Sequence, residues 1–433
     1  MHKMVDCGIN YIGDLPSYWH TARLKDVVTT PIKTGAGEEA QAYSPNSIRY
    51  IRISDFDKNG NIIEDNAAYI AFEKGRKYLL EKGDLLAATA GATVGKTLLF
   101  NGLDEDACYA GYLAKIKVES SVLLTKFLMY QMKSQVMDGF RECYVKKSTI
   151  ENISASTYSS MPVIIAPIDE QKKIVNYLDH VYDRIEKSID THKSVMDKLD
   201  EYRAAITIIA TTKGITSAEL KDSGEEWLGE IPKHWDVRRI WSLFKETNER
   251  GSSELPILTV SINDGISDTE LSEEESMRNF VRSEDKTKYK RMQPGDIVYN
   301  MMRAWQGAFG AARVEGMVSP AYVTARPIVE MDSRYFEYLM RSDTAAQEFE
   351  KYSRGIADFR LRLYWPEFKN IKVCYPPVSE QSEIADFLDN IYKKVDEAKA
   401  YHSSLINKLE EYRNSVTYNL VTGKMECEEV QNG

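Results

Sequence analysis

Apolar residues recur at alternating steps of four and three in two long stretches of the 433-residue chain, one beginning near Ile174 and the other near Ile384. Each pattern continues for about five heptads, which predicts an α-helix with one apolar stripe of the kind found in coiled-coil seams. At 1.5 Å per residue, each predicted seam is roughly 54 Å long. Its members include Leu178, Ile185, His192 and Leu199 in the first stretch, and Leu388, Val395, His402 and Leu409 in the second.

The two predicted helices start with related sequences, "DEQKKIVNYLD" at 169–179 and "SEQSEIADFLD" at 379–389. Asp169 and Ser379 occupy the expected N-cap positions, and the glutamates that follow suit the positive end of the helix dipole. The copies lie 210 residues apart, a whole number of heptads, so equivalent residues fall on equivalent seam positions. The sequence therefore contains an internal repeat, and each copy ends in a predicted long helix.

His192 and His402 are equivalent positions near the middle of the two seams. If the helices pack antiparallel, the two histidines lie in or beside one central layer. A polar layer of this kind fixes helix register at a cost in stability. The alternative is that both histidines lie at the edge of the seam and form no layer. Replacing both with leucine separates the two hypotheses, since only the first predicts a change in register.

A second repeated motif opens each half of the chain. "YIGDLPSYWHTARL" at 11–24 recurs as "WLGEIPKHWDVRRI" at 227–240, and the two share Gly-acid-apolar-Pro-x-x-Trp. Between this motif and the long helix, each half holds short β-rich runs and one predicted amphipathic helix, at 123–136 and at 333–349. Short strands with a single helix favour an α+β body over a parallel doubly wound sheet.

The repeat predicts the fold class α+β, with two pseudo-twofold-related α/β domains separated by two long coiled-coil helices. A rigid rod between two globular bodies suits a device that measures a distance. The predicted boundaries are 1–165 for the first domain, 166–212 for the central helix, 213–375 for the second domain, 376–425 for the C-terminal helix and 426–433 for a tail.

"AATAGATVGKTLLF", residues 87–100, has the look of a nucleotide-binding P-loop. A P-loop requires Gly-x-x-x-x-Gly-Lys-Ser/Thr, but position 90 is Ala90 and the nearest glycine, Gly91, comes one residue too late. The motif should also open a helix, whereas "TLLF" is followed directly by the turn pair Asn101-Gly102. We therefore predict two strands joined by a tight loop, and no ATP site.

Composition and charge predict a cytoplasmic protein whose attraction for nucleic acid is local. The net charge is −10, yet residues 1–165 carry 19 basic and 19 acidic residues and residues 223–378 carry 22 and 25. A DNA-binding face must therefore be a local patch. The five cysteines have no paired spacing, which argues against zinc and disulfide sites. We find no secretion signal and no apolar run that would span a membrane.

Basic residues interleaved with aromatics and amides mark three stretches of the bodies, 144–149, 301–307 and 352–365. Arginine and glutamine read base edges with two hydrogen bonds, while lysine supplies charge for phosphates. An ordinary solvated side chain is the alternative for any single residue here. The candidate DNA-binding residues are Lys96, Lys146, Lys147, Ser148, Arg303, Trp305, Gln306, Arg354, Arg360 and Arg362.

Motifs for catalysis are missing from the sequence. The only Pro-Pro, at 376–377, lacks the context of an adenine-methyltransferase motif. No His-Glu-x-x-His, Gly-x-Ser-x-Gly or helicase motif occurs. We expect no catalytic residue and no metal site in this chain.

The duplicated motifs resemble those of the specificity subunits of type I restriction–modification systems over essentially the whole chain. "GDLPSYW" with "GEIPKHW", the two Glu-Gln helix starts, and "GDIVYNMMRAWQGAFG" at 295–310 carry the resemblance. The resemblance implies a non-catalytic DNA-specificity subunit. Each body is then a target-recognition domain that reads one half of a bipartite site in double-stranded DNA, and the two helices form an antiparallel coiled coil that sets the spacer.

The same resemblance implies the partners. Modification (methyltransferase) subunits, two in number, are expected to dock on the helical region, and restriction subunits are expected to supply ATP-driven translocation and cleavage. S-adenosylmethionine, ATP and Mg are then expected on those partners, with no cofactor bound by this chain.

Two other functions are compatible with parts of the sequence. A coiled-coil structural adaptor accounts for the helices but leaves the basic and aromatic clusters unexplained, and it predicts no sequence-dependent DNA binding. A stand-alone nuclease or ATPase needs motifs that we do not find, and it predicts cleavage or ATP hydrolysis by the purified chain alone.

Overall fold

The computed structural model describes residues 3–56, 62–63, 67–91, 93–144, 152–252, 254–262, 265–267, 288–355 and 361–427. The chain folds into two compact units. The first consists of Met1–His192 with Ser404–Gly433, and the second consists of Lys193–Ser403. Each unit therefore combines one globular body with a part of each long helix.

The first body is made of short strands and short helices. Its described strands are β1 (Met4–Asp6), β2 (Asp14–Pro16), β3 (His20–Arg23), β4 (Lys33–Thr34), β5 (Ser47–Ile51), β6 (Tyr69–Ala71), β7 (Leu85–Ala88), β8 (Thr97–Leu99), β9 (Ala107–Tyr109), β10 (Leu113–Ile116) and β11 (Pro162–Ile165). Its described helices are α1 (Phe72–Gly75), α2 (Thr125–Met132), α3 (Gln135–Tyr144) and α4 (Ala155–Ser160), and the long helix α5 (Ile168–Lys213) follows.

The second body repeats this plan. Its described strands are β12 (Leu220–Asp222), β13 (Glu230–Pro232), β14 (Asp236–Arg239), β15 (Phe244–Thr247), β16 (Val260–Ser261), β17 (Gly265–Ile266), β18 (Lys290–Met292), β19 (Ile297–Asn300), β20 (Phe309–Ala311), β21 (Gly316–Val318), β22 (Tyr322–Pro327) and β23 (Lys372–Tyr375). Its described helices are α6 (Ser333–Met340), α7 (Asp343–Tyr352) and α8 (Trp365–Phe368), and the long helix α9 (Val378–Val421) follows.

Each body is built around a four-stranded antiparallel sheet. The strand order is β4-β10-β7-β8 in the first body and β15-β22-β19-β20 in the second. Strand β3 pairs with β11 where the first body begins and ends, and β14 pairs with β23 in the same way. In the first body β5 also pairs with β6 and, in parallel, with β9. The predicted α+β class is confirmed.

The stretch 87–100 forms the predicted strand, loop and strand. Strands β7 and β8 pair antiparallel, with Ala87 opposite Thr97. Gly91 and Gly95 have φ angles of 84° and 87°, in the left-handed region that favours glycine. Because a strand follows the second glycine where a P-loop needs a helix, the stretch does not form a nucleotide-binding loop.

The prediction of one amphipathic helix in each body is wrong, because two tandem helices form in its place. Between α2 and α3, the Ser134 hydroxyl donates to the Gln131 carbonyl at 2.8 Å and accepts from the Val136 N–H at 3.3 Å. Ser342, between α6 and α7, caps the next helix by accepting from the Ala345 N–H at 3.3 Å. A serine in this position competes with the helical backbone, so the first helix ends and a second begins.

The long helices α5 and α9 are continuous over 46 and 44 residues. The prediction that Asp169 and Ser379 are N-caps is wrong by two positions. The Pro167 carbonyl accepts from the Gln171 N–H at 3.0 Å, and Pro377 does the same in α9. The helices therefore start directly after these prolines, and the two predicted caps lie inside the first turn.

Glycines end both long helices. Gly214 and Gly423 have φ angles of 78° and 65°, which is the left-handed conformation common just past a helix C-terminus. The helices span Ile168–Lys213 and Val378–Val421, whereas the sequence predicts 166–212 and 376–425.

Burial along the predicted seams decreases toward the middle of each helix. The outer seam residues are buried: Leu178, Ile185, Leu388 and Val395. The inner ones are half-buried: His192, Leu199, His402 and Leu409. The hypothesis that the two histidines form a register-fixing layer stays a prediction.

Within each unit, α5 and α9 pair through the same kind of contact. In the first unit, the Tyr182 hydroxyl of α5 lies 3.2 Å from the Thr417 hydroxyl of α9, and the Arg413 guanidinium lies 5.4 Å from the centre of the Tyr182 ring. In the second unit the helices exchange roles, and the guanidinium of Arg203 in α5 lies 5.1 Å from the Tyr392 ring centre in α9.

The pairing in the second unit is antiparallel. The Thr207 hydroxyl lies 3.1 Å from the Tyr392 hydroxyl. Two turns earlier in α5, the Asp200 carboxylate accepts from the Lys399 ammonium at 2.5 Å. Residue numbers therefore fall along α5 as they rise along α9. The antiparallel direction that the family resemblance implies is confirmed in this unit.

Candidate nucleic-acid interface

In the first body, three segments that are distant in sequence meet at the β7–β8 loop. The Ile153 N–H donates to the Thr89 carbonyl at 2.8 Å, and Ala90 forms a β-bridge with Asn152. The Thr89 N–H donates to the Tyr112 carbonyl at 2.9 Å. The loop, the start of β10 and the segment before α4 thus form one continuous edge of the body.

A buried tyrosine supports the base of this loop. The Tyr158 hydroxyl in α4 donates to the Ala88 carbonyl at 2.6 Å, at the last residue of β7. Burial raises the pKa of Tyr158, so the hydroxyl remains a proton donor at neutral pH. This hydrogen bond therefore fixes the backbone position at which the β7–β8 loop begins.

The second body brings its own segments together in the same way. The Leu363 N–H donates to the Met301 carbonyl at 2.9 Å, which ties the segment before α8 to the β19–β20 loop. Arg354 and Arg362 form a β-bridge and exchange two backbone hydrogen bonds of 2.9 Å. The sequence predicts 301–307 and 352–365 as separate DNA-binding clusters, and the part of the second at 361–365 lies beside the first.

The β19–β20 loop places Arg303, Trp305 and Gln306 on one tight turn. An Arg303 Nη donates to the Gln306 Oε1 at 3.4 Å, and the Trp305 indole N–H donates to the Met302 carbonyl at 3.1 Å. Gly307 closes the turn with a φ angle of 81°. Gln306 is exposed, while Arg303 and Trp305 are half-buried. An arginine and an amide fixed next to each other offer donors and an acceptor that match base edges.

The predicted arginines of the 352–365 stretch differ in their surroundings. Arg354 is exposed and forms an ion pair of 2.6 Å with Glu367 of α8. Arg362 is exposed on the opposite strand of the bridge. Arg360 lies outside the described residues, as do Lys146, Lys147 and Ser148 of the first body.

Lys96 has an internal partner. Its ammonium donates to the Phe56 carbonyl at 2.6 Å and lies 4.7 Å from the centre of the Phe56 ring. This contact fastens the end of the β7–β8 loop to the segment after β5. No local sequence pattern indicates this contact, because Lys96 and Phe56 are 40 residues apart.

Tyr112 is a candidate that the sequence prediction missed. Its side chain is 68% exposed at the edge that Thr89 and Ile153 form. Exposed aromatic rings of this kind stack on bases or sugars. One tyrosine among 26 carries no sequence signal unless its neighbours are known.

The repeated Pro-x-x-Trp and Glu-Gln motifs contact each other inside each unit. The indole N–H of Trp19 donates to Glu170 at 3.0 Å, and that of Trp235 donates to Glu380 at 2.9 Å. The motifs at the start and end of each body are therefore joined by a hydrogen bond at the N-terminus of the long helix. These contacts give the repeated motifs a structural role.

The buried glutamines beside those glutamates bind the body to the same helix end. The Gln171 amide accepts from the Leu124 N–H at 2.8 Å and donates to the Val122 carbonyl at 2.9 Å. Gln381 accepts from the Asp332 N–H at 3.0 Å. Each glutamine thus fixes the segment that leads into the first of the two tandem helices.

Neither a metal centre nor a membrane-spanning segment is found among the described residues. No cluster of three or more His, Cys, Asp or Glu side chains in that part of the chain has an arrangement that would hold a metal ion. None of its helices combines the length and apolar character needed to cross a bilayer.

Comparison with known sequences identifies the repeat. Residues 16–192 and 232–410 both match the family model described as type I restriction modification DNA specificity domain. The type I restriction enzyme MjaVIII specificity subunit of Methanocaldococcus jannaschii is 21% identical over 376 residues, which cover 81% of each chain. The putative type I restriction enzyme MjaX specificity subunit of the same organism is 24% identical over 241 residues, 52% of each chain.

Solved structures share the fold at low sequence identity. A chain from a study of complex assembly and conformational transition in a type I restriction–modification system aligns with a TM-score of 0.69 at 15% identity, covering 95% of this chain and 99% of that one. The HsdS subunit from Thermoanaerobacter tengcongensis aligns with a TM-score of 0.53 at 15% identity, covering 95% and 98%. Since the family domain matches both halves of the sequence, the chain belongs to the family of type I restriction–modification DNA specificity proteins.

Proposed function

We propose that the chain is the DNA-reading subunit of a type I restriction–modification complex. Each body reads one half of a bipartite, asymmetric site in double-stranded DNA, and α5 and α9 set the spacer between the half-sites. The observation that carries the proposal is the repeated interface. Both bodies present the loop between a central strand and the neighbouring edge strand together with the segment before a short helix, but the loops differ in sequence: "TAGATVGK" in the first and "MMRAWQGA" in the second.

The partners are proposed from the same family membership. Modification subunits, two in number, bind the helical region and carry S-adenosylmethionine, and restriction subunits use ATP and Mg. This division agrees with the sequence, in which we find no catalytic motif. The chain acts in the cytoplasm, where the DNA and these partners are found.

The two bodies are near neutral in charge, which fits reading that depends on a few local contacts. Among the described residues of the second body, Arg303 lies in the β19–β20 loop, and Arg354 and Arg362 lie on the bridge whose following residue, Leu363, contacts that loop. Phosphate contacts from partner subunits would then supply much of the non-specific affinity. Base-edge contacts from this chain supply the sequence preference.

Mapping methylated adenines in the DNA of a host that carries the complete system tests the proposal. The expected result is one bipartite motif with two unlike half-sites and a fixed spacer. Exchanging the segment 213–375 for that of a relative with a different motif should change one half-site and leave the other intact. A methylation pattern that stays the same after the exchange would refute the assignment of reading to the bodies.

A further inference from the structure

A buried glutamate in the second body binds the strand that leaves the β19–β20 loop. Glu337, on α6, is 6% exposed, so its side chain is covered by its own body. One of its carboxylate oxygens accepts from the Ala311 N–H at 3.2 Å, and the other accepts from an Arg341 Nη at 3.0 Å. Ala311 is the last residue of β20. The carboxylate therefore fixes α6 to the strand that follows the loop.

Arg341 extends this contact to strands β16 and β17. Its other Nη donates to the carbonyl of Ile262, the residue after β16, at 3.1 Å. The ion pair also packs directly on Gly265 of β17, where an added Cβ would clash with the Glu337 Oε1 and would lie 2.9 Å from the Arg341 Nη1. Glycine in a strand is typical of such a close approach. The ion pair thus joins β16 and β17 to α6.

The backbone of Arg341 lies against the β19–β20 loop itself. A Cβ added to Gly307, which closes the loop, would lie 3.4 Å from the Arg341 carbonyl oxygen. Strand β17 approaches β20 even more closely, since a Cβ added to Gly310 would lie 2.6 Å from the Ile266 nitrogen. The loop, β20 and the β16–β17 pair therefore pack as one block around the Glu337–Arg341 ion pair.

The first body has no carboxylate at the corresponding position. In both bodies, one tyrosine of the first tandem helix donates its hydroxyl proton to an aspartate of the adjoining long helix: Tyr130 to Asp179, and Tyr338 to Asp389. The residue before that tyrosine is Met129 in the first body and Glu337 in the second. Met129 is buried in the apolar core. The shared fold therefore does not require a charge at this position.

The first body holds the equivalent of the β16 segment with a different cation. The two segments are equivalent because each follows a parallel pairing: Ile51 with Tyr109, and Ile257 with Met317. In the first body, the ammonium of Lys96 donates to the Phe56 carbonyl of this segment. Both bodies thus bind a carbonyl of the segment with a cation beside the loop, although the cations come from different elements.

We propose that Glu337 is a positioning residue for DNA reading by the second body. Through Ala311 and Arg341 it holds the β19–β20 loop in the orientation that presents Arg303 and Gln306. A buried ion pair that apolar side chains can replace without loss of stability contributes mainly to the choice of conformation. The effect on DNA rests on the proposed function, whereas the fixing of the loop is independent of it.

Three variants of the full chain separate positioning from stability. Glu337→Met introduces the residue of the first body and takes the carboxylate away from Arg341, so the melting temperature should fall. Combining it with Arg341→Met removes both charges, so the melting temperature should return toward that of wild type. Gln381→Leu is the destabilising control, since Gln381 bonds to Asp332 and Pro376 at the start of α9. If Glu337→Met does not fold, Glu337→Gln, which keeps the shape, takes its place.

Hydrogen exchange of the full chain measures whether the loop is fixed. Peptides that cover residues 301–311 and strands β16 and β17 should exchange about tenfold faster in Glu337→Met and in the double variant than in wild type. The increase should be confined to these peptides, and Gln381→Leu should not produce it. Unchanged exchange at these peptides in both Glu337 variants would overturn the proposal.

Binding of a duplex library by the complex with its modification subunits measures the effect on reading. Discrimination at the half-site of the second body should fall by about tenfold in Glu337→Met. It should remain low in the double variant although the melting temperature recovers. The other half-site should be read as in wild type, and Gln381→Leu should retain both preferences.

The two measurements distinguish failure of this proposal from failure of the proposed function. Discrimination that recovers together with the melting temperature would make Glu337 a merely structural residue and overturn the proposal. A wild-type complex without any sequence preference would instead refute the proposed function, and hydrogen exchange alone would then decide whether Glu337 fixes the loop.

Discussion

We propose that Arg303 contacts a base edge, because the tight turn that Gly307 closes holds it beside Gln306. Replacing Arg303 with alanine removes a donor pair, so we expect a loss of about 1–3 kcal/mol in binding to the native site. Preference should relax at one position of the half-site read by the second body. Binding of a library of duplexes by the assembled complex, followed by sequencing, measures this.

Arg313→Ala is the matched control, since Arg313 is exposed beyond the opposite end of β20. It should leave the preference unchanged. A loss in Arg303→Ala that is equal for all sequences would mean that Arg303 contacts a phosphate, and the base-reading role would be wrong.

Gln171 is buried and is expected to matter for stability rather than for recognition. It makes three hydrogen bonds, to the Leu124 N–H and to the Val122 and Ala166 carbonyls. Gln171→Leu leaves these backbone groups without partners, so we expect a loss of about 3 kcal/mol in the free energy of unfolding. Urea unfolding followed by tryptophan fluorescence measures it.

The equivalent change in the second unit provides a scale for that loss. Gln381 makes two such bonds, to the Asp332 N–H and the Pro376 carbonyl. Gln381→Leu should therefore cost less than Gln171→Leu. Equal stability of wild type and Gln171→Leu would show that the glutamine is not needed to hold the body on the helix end.

Among the elements, α6 has a charged N-cap that gives a pH-dependent contribution. The Asp332 carboxylate accepts from the Arg334 N–H at 3.0 Å and forms an ion pair of 2.7 Å with the Arg334 guanidinium. Burial raises the pKa of Asp332, but the hydrogen bonds and charge of Arg334 outweigh burial and leave the pKa below its usual value. The ionised form is thus favoured in the folded state.

The sign of the effect follows from this lowered pKa. The stabilisation is present above the unfolded pKa of about 3.9 and is lost as pH falls through the lower folded value. Asp332→Asn retains an N-cap but removes the charge. We expect wild type to be more stable than this variant by about 1–2 kcal/mol at pH 7, with the difference lost as the pH falls below the unfolded pKa and through the lower folded pKa. A difference that stays constant as the pH is lowered from 7 through this range, measured by urea unfolding, would contradict the charge-based explanation.

The elements differ in how well the sequence predicts them. The long helices follow from a seven-residue repeat that persists over many turns, which is a strong local signal. The breaks at Ser134 and Ser342 are not predicted, because the apolar spacing continues past each serine while its capping bonds end the helix. The edge that joins Thr89 to Ile153 depends on pairing between distant segments, and no local pattern indicates it.

In the whole molecule, each long helix serves both units. Tyr182 and Arg203 stand on α5, and Tyr392 and Arg413 stand on α9. In both helices the tyrosine and the arginine are 21 residues apart, which is three heptads. The tyrosine–arginine contacts of the two units therefore depend on equal helix lengths between these positions.

Removing one opposed heptad from each helix tests whether the helices set the spacer. Deleting 191–197 from α5 and 402–408 from α9 leaves two heptads between tyrosine and arginine in both, so both contacts can still form. Each helix becomes shorter by about 10 Å, which is about three base pairs at 3.4 Å each. Methylation mapping should then show the same two half-sites with a spacer shorter by about three base pairs.

Deleting 191–197 alone is the control, because it moves Tyr182 and Arg203 out of step with Arg413 and Tyr392. With α5 one heptad shorter than α9, the tyrosine–arginine contact can form in one unit or in the other, but not in both. Methylation of every spacer length should fall in this variant. If the double deletion keeps the native spacer, the distance between half-sites is set by the partner subunits, and α5 and α9 serve only to join the two bodies.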